Sequence, residues 1–142
     1  MTIPTQMSLH GYIASPPQLN FTGKGAARFY ACVGVEHFRK EPDGSFTPLD
    51  PTYHDMVLFG ASAERAYARF KMGDQFVASG YIHDYELDRN GSTEPREEFV
   101  ARRIGHDLVR TRYTVDRSSS RQPDPLAEQV SAGVEPPRSV SL

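Results

Sequence analysis

The segment Tyr53-His54-Asp55-Met56-Val57-Leu58-Phe59-Gly60 reads as a strand, with Tyr53, Asp55, Val57 and Phe59 on one face and His54, Met56 and Leu58 on the other. One face thus carries two aromatics. Gly60 and the candidate N-cap Ser62 follow at once, and Ala63, Ala66, Tyr67 and Phe70 then recur at helical spacing. This predicts a short amphipathic helix from Ser62 to about Met72, ended by Gly73 at the C-cap. A strand feeding directly into a helix, inside a chain otherwise patterned for strands, decides the fold class.

Upstream, strand-like sequence begins at Met7 and includes Leu9 and Tyr12-Ile13, with Gly11 marking a bulge or a bend at a barrel corner. Ser15-Pro16-Pro17 stops it. Gly23-Lys24-Gly25 is a turn into a second strand, on which Phe29, Ala31, Val33 and Val35 form the buried side and Arg28, Tyr30 and Cys32 the outer one. From Glu36 to Thr52 the prolines and polar residues read as a loop whose mouth carries Phe38, Arg39 and Lys40. Downstream of the helix, a fourth strand is expected from Gln75 to about Leu87, then a hairpin turn at Arg89-Asn90-Gly91-Ser92 and a fifth strand from Glu98 to Ile104. A last extended run reaches about Arg117.

With 142 residues, eleven glycines and eleven prolines, the chain suits one domain rich in turns, followed by a tail. The expected boundaries are a flexible N-terminus at 1–6, a folded domain at 7–117 and a disordered, proline- and serine-rich tail at 118–142. The net charge of -2 offers no bulk attraction to nucleic acid, so binding of that kind must rest on a local patch. One cysteine, Cys32, excludes an intramolecular disulfide, and no apolar run approaches the ~20 residues of a membrane helix. Without a basic-apolar export signal, a cytoplasmic location with no membrane partner is expected.

Enzyme chemistry finds no footing. The five histidines, His10, His37, His54, His83 and His106, lack ligand spacing, and a lone cysteine builds no thiolate metal site, so neither metal nor other cofactor is expected. His54-Asp55 and His83-Asp84 are neighbours on strands and point apart. Gly23-Lys24-Gly25 lacks the rest of a phosphate loop.

The reading is therefore all-β with one short helix. Five strands with a helix between the third and fourth is the connectivity of an OB-fold five-stranded barrel, here with extended β-hairpin loops, although patterning alone leaves other small barrels open.

The chain resembles the bacterial single-stranded DNA-binding proteins, especially their actinobacterial paralogues. The resemblance is carried by Met7-Ser8-Leu9-His10-Gly11, by Ala27-Arg28-Phe29, by Tyr53-His54 with Val57-Leu58-Phe59-Gly60, by Lys71-Met72-Gly73, and by Ile104-Gly105-His106-Asp107-Leu108. It implies a homotetramer of OB domains, nucleoid-associated, that coats single-stranded DNA in replication, repair or recombination. It also implies that Phe38, Tyr53 and Phe59 stack on bases, with Tyr85 substituting for an aromatic replaced by Leu87, while Tyr30, Arg28, Arg39, Lys40 and Lys71 support the strand. By the same resemblance His54 lies at a subunit contact. Two departures stand out. Asp55 and the acidic residues of His83-Asp84-Tyr85-Glu86 occupy places that are usually basic, and the terminus Arg138-Ser139-Val140-Ser141-Leu142 lacks the acidic tip that recruits partners, so that recruitment is not expected. The rival reading is an OB-fold protein-interaction scaffold that has lost most DNA affinity.

Overall fold

The computed structural model describes residues 1–118, so the expectation for the tail lies outside the described residues from 119 onward. Among the described residues the strands are β1 (Met7–Ile13), β2 (Gln18–Phe21), β3 (Ala27–Lys40), β4 (Phe46–Phe59), β5 (Gln75–Arg89) and β6 (Ser92–His106), with one helix α1 (Ala61–Arg69). They hydrogen-bond in the order β1-β5-β6-β4-β3-β2, and β1 also pairs with β3. That last pairing, Tyr12 with Gly34 and Ile13 with Val33, closes β1, β3, β4, β5 and β6 into the expected five-stranded OB barrel. The short β2 lies outside it as an added edge on β3.

The alternation expected on β3 holds from Phe29 to Val33: Phe29, Ala31 and Val33 are buried and meet Met56 and Leu58 of β4 in the core, whereas Val35, expected on the same side, is only half-buried. Phe76 and Ala78 from β5, Phe99 and Ala101 from β6 and Ile13 from β1 complete the barrel interior. Ala63, Ala66 and Phe70 cap it from the helix side. Tyr67, expected on the same stripe, is exposed.

Several boundaries differ from the sequence expectation, each for a local reason. The helix starts at Ala61 because Gly60, at φ 72°, directs its own carbonyl at the amides of Ala63 and Glu64, and no side chain caps it. Ser62 thus lies inside the first turn. The helix ends at Arg69 because Phe70 turns to extended backbone and buries its ring, while the Gly73 amide donates to the Ile13 carbonyl at 2.7 Å. The span read as a loop from Glu36 to Thr52 is mostly ladder: β3 runs to Lys40 and β4 starts at Phe46. A register shift between Val35 and His37 absorbs the proline-containing stretch, and Asp43 Oδ1 accepts from the Ser45 amide in the tight turn.

The β5–β6 hairpin is likewise longer than expected. Asn90 (φ 50°) and Gly91 (φ 82°) form a turn whose twist matches the strands, so the charged residues beside it pair in full, down to Arg89 with Ser92. Beyond His106 the Asp107 side chain accepts from the Val109 amide and starts a single 3-10 turn, Leu108–Arg110, after which Thr111 returns to extended backbone and residues 111–117 join no strand ladder.

Two glycines permit close strand approaches in the barrel, Gly11 at the β1–β3 closure and Gly80 between β5 and β6. A Cβ on Gly11 would run into the Gly34 carbonyl oxygen, and one on Gly80 into the Val100 carbonyl oxygen. Gly11→Ala and Gly80→Ala are each expected to destabilise the domain by about 1–3 kcal/mol, as overpacking does. Gly23→Ala, with open space around it, is expected to stay within ~0.5 kcal/mol, and urea denaturation of the three variants checks the contrast.

Candidate nucleic-acid interface

Opposed residues of an antiparallel pair share a face, so the register defines the outer surface of β3, β4, β6 and β5. One row crosses all four strands: Tyr30 opposite Val57, Val57 beside Val100, and Val100 opposite Tyr81. Arg28 faces Phe59 on one side of this row. On the other side, Asp55 faces Cys32, His83 faces Glu98, Tyr53 faces Gly34 and Tyr85 faces Arg96. The surface therefore gathers Arg28, Tyr30, Tyr53, Phe59 and Tyr85, five of the residues singled out from sequence. Tyr53, midway along β4, and Phe59, at its end, are 59% and 45% exposed. Six residues of strand separate them by about 20 Å.

Between those rings the face is charge-compensated. Tyr30 Oη donates to Asp55 Oδ1 at 2.7 Å, and Arg96 approaches the other oxygen at 3.9 Å. Arg28 pairs with Glu98 at 3.6 Å, which requires it to reach from β3 to β6 across Val57 on β4. Glu98 also meets His83 Nδ1 at 3.0 Å, and the His83 ring stacks on Tyr85 with centroids 5.7 Å apart. Burial, then the hydrogen bond to Asp55, pushes the Tyr30 phenol well above its ordinary range. The Cys32 thiol is raised too, by burial and by Asp55, so it stays protonated as a packed group.

A second aromatic group sits where the barrel closes. The Tyr12 ring lies against Gly34, where any Cβ would strike it, and its hydroxyl is 3.5 Å from that of Tyr53. That contact, more than desolvation, raises the Tyr12 phenol. Tyr12 and Phe38 line a groove with His10, Glu36 and Arg110. Sequence reasoning passed over Tyr12, yet Gly34 inside Val33-Gly34-Val35 signals a close approach on that strand. Arg96 and Glu98, also passed over, had no such signal.

The remaining candidates are placed apart. Phe38, Arg39 and Lys40 ride the β3–β4 hairpin: Phe38 is 53% exposed, and Arg39 is engaged by Glu41 at 3.1 Å. Lys71 stands in the turn after α1, its amide donating to Asp74 Oδ2, and not on the sheet face. His54 is half-buried and hydrogen-bonds Thr52 Oγ1 at 2.8 Å. Among the described residues no group of three or more His, Cys, Asp or Glu is arranged to hold a metal ion.

No protein-family model matches the chain, and no curated protein matches it by sequence. Solved structures do match. The fold is that of single-stranded DNA-binding proteins of known structure. A small single-stranded DNA-binding protein from Streptomyces coelicolor is 21% identical, with a TM-score of 0.58 over 75% of this chain and 97% of that one. The Thermus aquaticus single-stranded DNA-binding protein is 19% identical at a TM-score of 0.61, over 72% of this chain but only 50% of its own length. Plasmodium falciparum SSB, solved in complex with ssDNA, is 12% identical at a TM-score of 0.60, over 75% of this chain and 98% of that one.

Tyr30→Phe removes the donor to a charged acceptor on a half-exposed face, with an expected loss of about 1 kcal/mol in urea denaturation. Asp55→Asn keeps an acceptor for Tyr30 and is expected to cost less.

Proposed function

We propose that this chain binds single-stranded DNA with little sequence preference and protects it during replication, repair or recombination. The observation that carries the reading is the pair of exposed rings, Tyr53 and Phe59, on one face of an OB barrel whose fold recurs in proteins that bind single-stranded DNA. Every base offers a π-face, so each stacked ring contributes about 1–3 kcal/mol whatever the sequence. Phe38 on the hairpin and Tyr85 beside Arg96 extend the stacking path. Arg28, Arg39, Lys40 and Lys71 supply phosphate contacts, and Tyr30 supports them.

Arg28 and Arg96 reach that role by exchange: each leaves a carboxylate for a phosphate, so binding is weaker than cation counts imply. A homotetramer with His54 at a subunit contact completes the reading, without catalysis and without recruitment through an acidic tip. The work of such a protein belongs at the nucleoid, in the cytoplasm.

One observation favours a second reading. Asp55 and Glu98 lie in the middle of the face, where a phosphate backbone would meet two carboxylates. A protein-interaction barrel would have no reason to avoid them.

Anisotropy titration of labelled oligo-dT at two salt concentrations, against a duplex control, separates the two. Salt-sensitive binding to the single strand alone is expected; no binding at micromolar protein and low salt would leave the interaction reading. Tyr53→Ala with Phe59→Ala is expected to weaken binding by at least tenfold, as loss of about 1.4 kcal/mol implies, with the oligomer intact by sedimentation. Asp55→Asn is expected to tighten it.

A further inference from the structure

A groove of about 590 Å³ lies between α1 and β6, lined by Arg65, Arg69 and Phe70 on one side and by Arg102, Arg103 and His106 on the other. Arg65 and Arg69 are one helical turn apart and share a face. Arg102 and Arg103 are consecutive strand residues, which ordinarily point to opposite faces. Here they converge because Gly80 pairs with Ala101 while Ser79 pairs with Arg103, leaving Arg102 as the extra residue of a bulge. A bulge re-aims a side chain in this way.

None of the four arginines makes an ion pair among the described residues. Arg28, Arg39, Arg89, Arg96 and Arg110 all do. No Asp or Glu lines the groove itself, and the neighbouring carboxylate, Asp74, is 3.4 Å from His106 rather than from an arginine. A chain with net charge -2 thus concentrates four uncompensated guanidiniums in one place. Their planar forks match phosphate oxygens bidentately, and their like charges repel until an anion arrives.

The groove borders the sheet face at Arg102. Phe59 ends β4 and Gly60 leads into α1, so the helix wall follows directly in the chain on one of the exposed rings. On the β6 wall, the Arg102 guanidinium lies 5.2 Å over the Tyr81 ring, and Tyr81 belongs to the row through Val100 and Val57.

We propose that this groove is a phosphate track, which takes the backbone of the same single strand as it leaves the sheet face past Phe59. The proposal rests on the DNA-binding reading and adds to it a second, arginine-lined contact surface outside the sheet. The face holds bases by its rings while its own charges are largely spent on each other. The groove holds only backbone.

The test compares wild type with the triple variant Arg65→Ala, Arg69→Ala and Arg103→Ala, all exposed positions, with circular dichroism to confirm the fold. Each is titrated with an oligo-dT of about 8 nucleotides, within the ~4–16 that one OB fold covers, and with one of about 40. The expected result is unchanged affinity for the short strand and a weaker, less salt-dependent interaction with the long one. Three lost contacts should lower the slope of log K against log salt by about 2, at ~0.7 per phosphate on a single strand. An unchanged slope for the long strand in the variant overturns the track and leaves the DNA-binding face standing. Failure of wild type to bind either strand removes the DNA-binding reading and the track with it. Binding of labelled polyglutamate to wild type, lost in the variant while DNA slopes stay equal, assigns the groove to an acidic peptide and also overturns the proposal.

Discussion

The closure of β1 onto β3 is the constraint on which the other features depend. β1 pairs with β5 from Met7 to Tyr12 and meets β3 only at Tyr12 and Ile13, so one strand must turn the corner between two neighbours. It can do so because Gly11 presents no side chain to the Gly34 carbonyl, and Gly34 none to the Tyr12 ring. With the corner closed, Ile13 enters the core and Tyr12 is laid beside Tyr53. The same absence of two β-carbons therefore builds the barrel and gathers two aromatics at the edge of its outer face.

Charge on that face is arranged rather than accumulated. Asp55 and Glu98 are each held by more than one partner, from β3, β5 and β6, while the exposed rings of Tyr53, midway along β4, and Phe59, at its end, carry no charge to be paired. An incoming polyanion must compete with these internal pairs, and the half-exposed setting keeps each pair weak enough to exchange. The α1–β6 groove is the opposite case, cations gathered without acids. Such a division between rings and backbone charge suits a ligand that has both.

Much of this was legible in the chain. Alternation from Tyr53 to Phe59 and from Phe29 to Val33, the helix after Gly60, and the Asn90-Gly91 turn all express short-range periods and backbone preferences, and all stand in the fold. The hairpin between β3 and β4 was not legible, because its ladder is made of backbone hydrogen bonds under polar side chains and prolines, which carry no hydrophobic pattern. The length of β6 was hidden for the same reason. Ser62 looked like a helix cap from its chemistry, whereas the positive φ of Gly60 had already set the start one residue earlier.

By itself the sequence determined which faces are apolar, where the chain turns, and that the aromatics Tyr53 and Phe59 share a side, since these follow from the two-residue period of a strand and the 3.6-residue period of a helix. Only the tertiary structure decided who meets whom across strands. Asp55 reads as a bare negative charge in the chain, but the pairing of β4 with β3 and β6 supplies it with Tyr30 and Arg96. Arg102 and Arg103 read as neighbours on opposite faces, but the bulge opposite Ser79 and Gly80 turns both toward α1. Register and bulges are set by long-range closure of the barrel, a property of all the strands at once, and no local stretch of residues contains it.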